Sequence, residues 1–289
     1  MNDYKSVINA SLEAYLSTDY LVDSTVRDAM IYAISNGGKR VRPILLLSLL
    51  KDLTGDYKKG IAAACALEMI HTYSLVHDDL PCMDNDTMRR GKPSVWAAYG
   101  EDFGVLAGDA LMAYAFETAA KAFVFQANAV NVGRAIEVLA RKTGVSGMIG
   151  GQSVDVEMTG KSLTEEQLMF IYRLKTGALI EASMLCGAVL ADASKEDLLI
   201  VEQIASRIGM AFQIQDDILD EVSTAEVLGK PVHSDEKNLK TTYVTLYGVE
   251  RSREEVLRLT SEAIGMIEGL SGENRFLVAL LNELATREK

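Results

Sequence analysis

From Ile61 to Asp79 the chain reads as one strongly apolar helix, and it runs directly into Leu80-Pro81-Cys82-Met83-Asp84. A helix of this pattern is a buried one, yet it ends on the adjacent carboxylates of Asp78 and Asp79. Carboxylates gathered there need compensation, because an unpaired buried charge is unfavourable by several kcal/mol. A divalent cation would supply it. Asp84 lies six residues beyond Asp78, about 240° round an ideal wheel, and faces elsewhere unless the helix is broken. Pro81 provides the break: it has no N–H, and its ring would clash with the carbonyl of His77, so the backbone can turn and return Asp84 to the first pair. The competing explanation is a solvated acidic helix end.

Composition narrows the fold. Hydrophobic residues make up 48% of the 289, with only four prolines and 7% aromatics. This balance favours long helices over a sheet-rich chain. The net charge of −12 argues against a general nucleic-acid or anionic-membrane surface, so local basic clusters stand out as ligand sites. Cys65, Cys82 and Cys186 form no CxxC pair and fit a reducing compartment, with the cytoplasm as the default. The N-terminal residues lack a basic segment followed by an apolar one, and no apolar run reaches the roughly 18 residues that span a bilayer, so no membrane insertion is expected. No repeat, low-complexity tract or interior linker divides the chain, and one domain over 1–289 is expected.

Residues 1–34 predict two helices, with Ser24 as an N-cap. Asn36-Gly37-Gly38-Lys39-Arg40-Val41-Arg42-Pro43 then predicts a tight turn into a further helix. Lys39, Arg40 and Arg42 cluster at that helix N-terminus, where backbone N–H groups already favour anions. A basic surface loop is the alternative. His71, Ser74 and Asp78 share one face at i, i+3 and i+7, leaving His71 either an interior histidine or a ligand contact. Residues 85–94 predict a loop carrying Arg89 and Arg90, which either serve a ligand or bridge to the aspartates.

Helices are expected at about 100–126 and 128–142. Glycines 144, 147, 150, 151 and 160 punctuate a segment holding Gln152 and Asp155. A helix opening at Thr164 should continue through Lys175-Thr176 to Leu190, with Lys175 either functional or snorkelling. Residues 195–220 form another apolar helix ending in Phe212-Gln213-Ile214-Gln215-Asp216-Asp217-Ile218-Leu219-Asp220. Gln213, Asp216 or Asp217, and Asp220 make one stripe at i, i+3/i+4 and i+7. Like charges at i,i+4 destabilise a helix by about 0.2–0.5 kcal/mol a pair, so an uninterrupted acidic stripe is poorly explained as a solvated face. Lys230 and Lys240 follow, and further helices run to Lys289.

Two Asp-rich helix ends can face each other across a helical bundle. Oxygen ligands without neighbouring His or Cys at a metal spacing select Mg²⁺, which takes a few carboxylates together with substrate phosphates and water. Lys39, Arg42, Arg89, Arg90, Lys175, Lys230 and Lys240 exceed what one diphosphate requires, which points to two diphosphates side by side.

Taken together, GGKRVRP, DDLPCMD at Asp78 to Asp84, RRGKP, Lys175-Thr176, FQIQDDILD at Phe212 to Asp220 and the LGKP loop resemble, in order and position, the motifs of trans-isoprenyl diphosphate synthases. The resemblance implies an all-α homodimer, each subunit a large helical bundle around a central cavity. It implies small-molecule diphosphate substrates, and three Mg²⁺ per site once substrate is bound, with Mn²⁺ able to replace them. Lys39, Arg42, His71 and Arg90 would bind isopentenyl diphosphate. Arg89, Lys175, Thr176, Gln213, Lys230 and Lys240 would hold the allylic diphosphate, bridged through metal to Asp78, Asp79, Asp84, Asp216, Asp217 and Asp220. Gln152 and Asp155 take a supporting role. Of these, Asp78, Asp79, Asp84, Arg89, Lys175, Asp216, Asp217 and Lys230 would carry the catalysis.

In the family, bulk at the positions four and five before the first aspartate stops the product, and here those are Ser74 and Tyr73. Ser74 lies one turn beneath Asp78, while Tyr73 is displaced by about 140°, so its place in a tunnel wall comes from the resemblance; an ordinary core aromatic is the alternative. An aromatic there resembles the bacterial farnesyl diphosphate synthases, and chiefly a C15 product is expected. The alternatives are a geranylgeranyl diphosphate synthase and a non-catalytic subunit of a longer-chain synthase.

Overall fold

The computed structural model describes residues 2–17, 24–125, 128–222, 241–270 and 275–287. Its helices are α1 (Asn2–Leu16), α2 (Thr25–Ser35), α3 (Val41–Thr54), α4 (Ile61–Asp78), α5 (Val95–Tyr99), α6 (Glu101–Ala120), α7 (Ala122–Phe125), α8 (Ala129–Thr143), α9 (Met148–Met158), α10 (Glu165–Ile171), α11 (Ala178–Leu190) and α12 (Lys195–Val222), followed by Tyr243–Tyr247, Val249–Ile267 and Arg275–Ala285. The fold is all-α. A single hairpin of two-residue strands, β1 (Met88–Arg89) and β2 (Lys92–Pro93), is the only sheet among the described residues.

Three helices form the interior because their sequences are apolar on every side. All of α11 is buried, as are the Ile44–Leu50 stretch of α3 and most of α4. The other helices wrap these with one apolar stripe each; α8, for instance, buries Val132, Ala135, Val138 and Leu139 and turns Arg134 and Glu137 outward. A smaller core of Leu168, Ile171, Tyr172, Ile214, Ile218 and Tyr243 packs around the end of α12. No helix of the described residues is long and apolar enough to cross a membrane.

The break expected at Pro81 is present. Helix α4 ends at Asp78, the Leu80 N–H turns to the carbonyl of His77 at 3.2 Å, and the Asp84 N–H donates to the carbonyl of Asp78 at 2.9 Å. Elsewhere the structure departs from the sequence-based expectation. The 85–94 loop contains the hairpin, whose tip residues Arg90 and Gly91 have φ of 54° and 77°, the left-handed pair that a two-residue turn requires. The helix expected over 100–126 is divided into α6 and α7 at Lys121, whose N–H bonds to Thr118. The helix expected from Thr164 to Leu190 is interrupted by a π-helical turn, Tyr172–Gly177.

Candidate active site

A cavity of about 1200 Å³ opens between the start of α3, the C-terminal half of α4, α6, α9, the π turn and α12. His71, Ser74 and Asp78 all line it, as their shared helical face requires, and Asp216 reaches it from α12. The two Asp-rich helix ends therefore serve one space.

The six aspartates grouped as metal ligands divide into two sets. Asp78 accepts from Gln152 Nε2 at 2.9 Å. Its carboxyl is pushed up to about 6, chiefly by burial and further by Asp84 and Asp79, against the pull of Lys175 and Arg89. Asp84 is exposed beside it. Asp216 has a side chain 46% exposed and pairs with Arg287. By contrast, Asp79 is 2% exposed and receives Arg89 Nε at 3.0 Å, with Arg89 Nη2 on the same carboxylate and on Asp86. Asp217 is 5% exposed and accepts from the Tyr172 hydroxyl, from Gln213 Nε2 at 3.0 Å and from the Tyr243 N–H at 3.1 Å. Asp220 is buried as well. Of the six, only Asp78 and Asp216 line the cavity; Asp79 and Asp217 complete hydrogen-bonded packing contacts behind its wall, and Asp84 and Asp220 are not part of its lining.

Among the described residues no three His, Cys, Asp or Glu side chains converge into an all-protein metal cage. The donor set nevertheless fits Mg²⁺: oxygen ligands only, crowded negative charge at Asp78, and too few carboxylates to complete a shell without phosphate oxygens and water. Asp78 and Asp216, which line the cavity, would hold it, with Asp84 exposed on the turn beside Asp78.

The basic groups of the α3 turn and the hairpin line the same cavity. Arg40 is structural: it donates to Glu68 at 2.6 Å, to Asn9 at 2.9 Å and to the carbonyl of Ile34 at 2.7 Å. Lys39 and Arg42 line the cavity as well, and Arg42 Nε has no hydrogen-bond partner. The Arg42 guanidinium is held below its ordinary value by burial, with Arg287 and Arg90 adding to the effect and Glu68 and Asp216 opposing it. Arg90 donates to the carbonyl of Gly37 at 2.5 Å and lies against Gly38, which has no Cβ to obstruct it. Burial first, then Arg42, Arg90, Arg40 and Arg89, hold the His71 imidazole well below its usual value, so the ring is neutral at pH 7. Positive charge buried with donors to spare is an anion site.

The π turn explains Lys175 and Thr176. Its wider winding turns Lys175 towards α9, where Nζ meets Asp155 at 2.6 Å, and Thr176 towards α12, where Oγ1 donates to Gln213 at 2.5 Å. The backbones can approach because residue 151 is glycine: a Cβ there would stand 2.3 Å from the Lys175 nitrogen. Burial opposes charge on Lys175, but Asp155, Asp78 and Asp84 outweigh it and raise the ammonium above its ordinary value. Lys230 and Lys240 lie outside the described residues. Tyr73, 4% exposed, lines the apolar part of the cavity beside Ser74 and meets the His77 ring edge-on at 5.8 Å.

The family model for polyprenyl synthetase matches residues 23–275. The chain belongs to the polyprenyl synthetase family. A geranylgeranyl diphosphate synthase of Cyanophora paradoxa is 48% identical over 82% of this chain and 79% of its own length. A farnesyl diphosphate synthase of Bacillus subtilis is 39% identical over 99% and 96%. Among solved structures, a geranyltransferase from Helicobacter pylori, described as complexed with magnesium and isoprenyl diphosphate, superposes with a TM-score of 0.84 at 32% identity, covering 98% of this chain and 95% of its own.

In this polyprenyl synthetase two further residues bear on the cavity: Arg287, which belongs to none of the motifs, and Phe212, which opens the FQIQDDILD stretch. Arg287 lies 3.9 Å above the Phe212 ring, Arg42 lies 5.9 Å from the same centroid, and both arginines line the cavity. The available signal was a basic terminus, Arg287-Glu288-Lys289, on an acidic chain.

Proposed function

We propose that this polyprenyl synthetase condenses isopentenyl diphosphate head-to-tail with dimethylallyl and then geranyl diphosphate, giving chiefly farnesyl diphosphate. The observation that carries the reading is one cavity lined by the carboxylates of Asp78 and Asp216, by Arg42 and Arg287 with unspent Nε donors, and by apolar residues beside Tyr73. Lys39, Arg42, His71 and Arg90 hold isopentenyl diphosphate. Lys175 and Thr176, braced by Asp155 and Gln213, face the allylic diphosphate, and Lys230 and Lys240, outside the described residues, are assigned to the same group from their motif. Asp78, Asp84 and Asp216 hold Mg²⁺, three ions when substrate is present and replaceable by Mn²⁺, whose charge would stabilise the departing diphosphate. Asp79 keeps Arg89 in place, and Asp217 and Asp220 stiffen the end of α12.

Breaking the allylic C–O bond leaves a delocalised carbocation. The isopentenyl double bond attacks it, a carbon–carbon bond forms, and a proton passes to the released diphosphate. The apolar walls keep water from the cation. The same reading carries a single-domain homodimer of the cytoplasm; exposed Leu106 on α6 and Val130 on α8 offer apolar surface to a second copy.

A geranylgeranyl product is the second reading, favoured by the identity to the Cyanophora relative. Tyr73 separates the two. Replacing Tyr73 by alanine should move product from C15 to C20 and longer, read by chromatography of the dephosphorylated alcohols. A wild-type product already at C20, or a Tyr73→Ala spectrum unchanged from wild type, would remove Tyr73 as the stop.

A further inference from the structure

We propose that Tyr32 on α2, which belongs to none of the sequence motifs, is a positioning residue that sets Arg90 at the diphosphate site through the carbonyl of Pro93. This role rests on the reading of Arg90 as a ligand of isopentenyl diphosphate and adds the group that holds it in place.

The hairpin that carries Arg89 and Arg90 cannot fix them by itself. Its strands are two residues each, paired Met88 with Pro93 and Arg89 with Lys92, and an isolated two-stranded hairpin is marginally stable at best in water. Met88, Lys92 and Pro93 are exposed, so no buried apolar face anchors it either. Tertiary contacts must place it, and they divide by arginine. On one side Arg89 Nε donates to Asp79 at 3.0 Å and Trp96 Nε1 donates to the carbonyl of Asp86 at 2.9 Å. On the other the Tyr32 hydroxyl donates to the carbonyl of Pro93 at 2.8 Å and Arg90 Nη1 donates to the carbonyl of Gly37 at 2.5 Å.

These last two contacts are rungs between the end of α2 and the hairpin, with Tyr32 to Gly37 running forward along the chain and Pro93 to Arg90 running back. A diphosphate arriving at Arg90 draws on the same guanidinium that Gly37 engages. Arg90 also has φ of 54°, a left-handed conformation that a side-chain-bearing residue keeps only while its surroundings enforce it. The Tyr32–Pro93 rung, which substrate does not touch, supplies that enforcement.

Tyr32 is suited to the task. Its ring packs edge-on against Tyr99 at 5.4 Å, and the adjacent Ala33 and Ile34 are buried in the main core, so the hydroxyl is presented from a fixed point on a side chain with only two torsions. The bond itself lies at the surface, where water can replace the hydroxyl. Its loss therefore removes a fixed distance and leaves stability nearly unchanged.

The test is steady-state kinetics of the full chain with Mg²⁺, isopentenyl diphosphate and geranyl diphosphate, for wild type, Tyr32→Phe, Arg90→Ala and the double variant, with thermal unfolding of each. Tyr32→Phe should raise KM for isopentenyl diphosphate by about two- to tenfold, the range for one neutral hydrogen bond, and leave kcat, KM for geranyl diphosphate and Tm close to wild type. Arg90→Ala should raise the same KM by about tenfold or more. Adding Tyr32→Phe to Arg90→Ala should change nothing further, because a residue that acts through another is non-additive with it. An unchanged KM in Tyr32→Phe beside a raised one in Arg90→Ala overturns the role of Tyr32 alone, as does a Tyr32→Phe effect that persists in full without Arg90 or that comes with a lowered Tm and a shift in both KM values. Arg90→Ala with KM for isopentenyl diphosphate at the wild-type value overturns instead the assignment of Arg90 itself.

Discussion

At the scale of single residues, Asp78 carries a carboxyl whose charged form burial disfavours. Its carboxyl titrates near 6 against an ordinary 3.8, with burial the main cause. The sign follows: between about pH 4 and 6 the folded state binds this proton more tightly than the unfolded chain does, so stability falls as pH rises through that window. At neutral pH the ionised group destabilises the metal-free protein by about 1–3 kcal/mol. Asp78→Asn keeps an acceptor for Gln152 and removes the charge, so its Tm without metal should exceed wild type by a few degrees. Mg²⁺ with diphosphate should then stabilise wild type much more than the variant, and turnover should fall about a hundredfold or more. A lower Tm for Asp78→Asn in metal-free buffer would contradict this assignment. For wild type, kcat/KM should decline as pH drops through about 6, where Asp78 takes up its proton in the free enzyme.

At the scale of elements, the decisive feature is the close crossing of α9 and the π turn. Gly151→Ala would place a methyl carbon 2.3 Å from the Lys175 nitrogen and 2.8 Å from the Leu174 Cβ, and backbone cannot yield as a side-chain tip can. The two elements must separate, lowering stability by about 1–3 kcal/mol and displacing Lys175 from Asp155. Turnover should drop by up to about a hundredfold with the fold retained. Gly133→Ala on α8, where nothing lies within 4 Å of the new methyl, should instead raise Tm slightly, which separates crowding from a general effect of helical glycine.

Here lies the boundary of what the sequence discloses. The interior helix α4 was readable from its uniform apolarity, and the break after Asp78 from Pro81, because both are local effects. The shared face of His71, Ser74 and Asp78 was likewise a matter of spacing along one helix. The π turn was hidden, since it depends on Gly151 and Asp155 arriving from another helix. The two-residue strands at Arg89 and Lys92 are too short to show alternation. The division of the aspartates was hidden for the same reason as the π turn: Asp79 and Asp217 are distinguished from Asp78 and Asp216 only by Arg89, Tyr172 and the Tyr243 N–H, partners that the fold supplies.

At the scale of the whole molecule, an interior of α3, α4 and α11 enclosed by amphipathic helices leaves one large cavity whose lining divides into charged groups of both signs and apolar residues. That division suits a reaction in which two anionic head groups are held side by side while a growing hydrocarbon is kept from water. Incubating the full chain with labelled isopentenyl diphosphate and geranyl diphosphate, with and without Mg²⁺, tests the claim most directly. The account predicts Mg²⁺-dependent transfer of label into farnesyl diphosphate and only trace C20. No incorporation with Mg²⁺ present would contradict the synthase assignment, and label accumulating chiefly in C20 would contradict the stop at Tyr73.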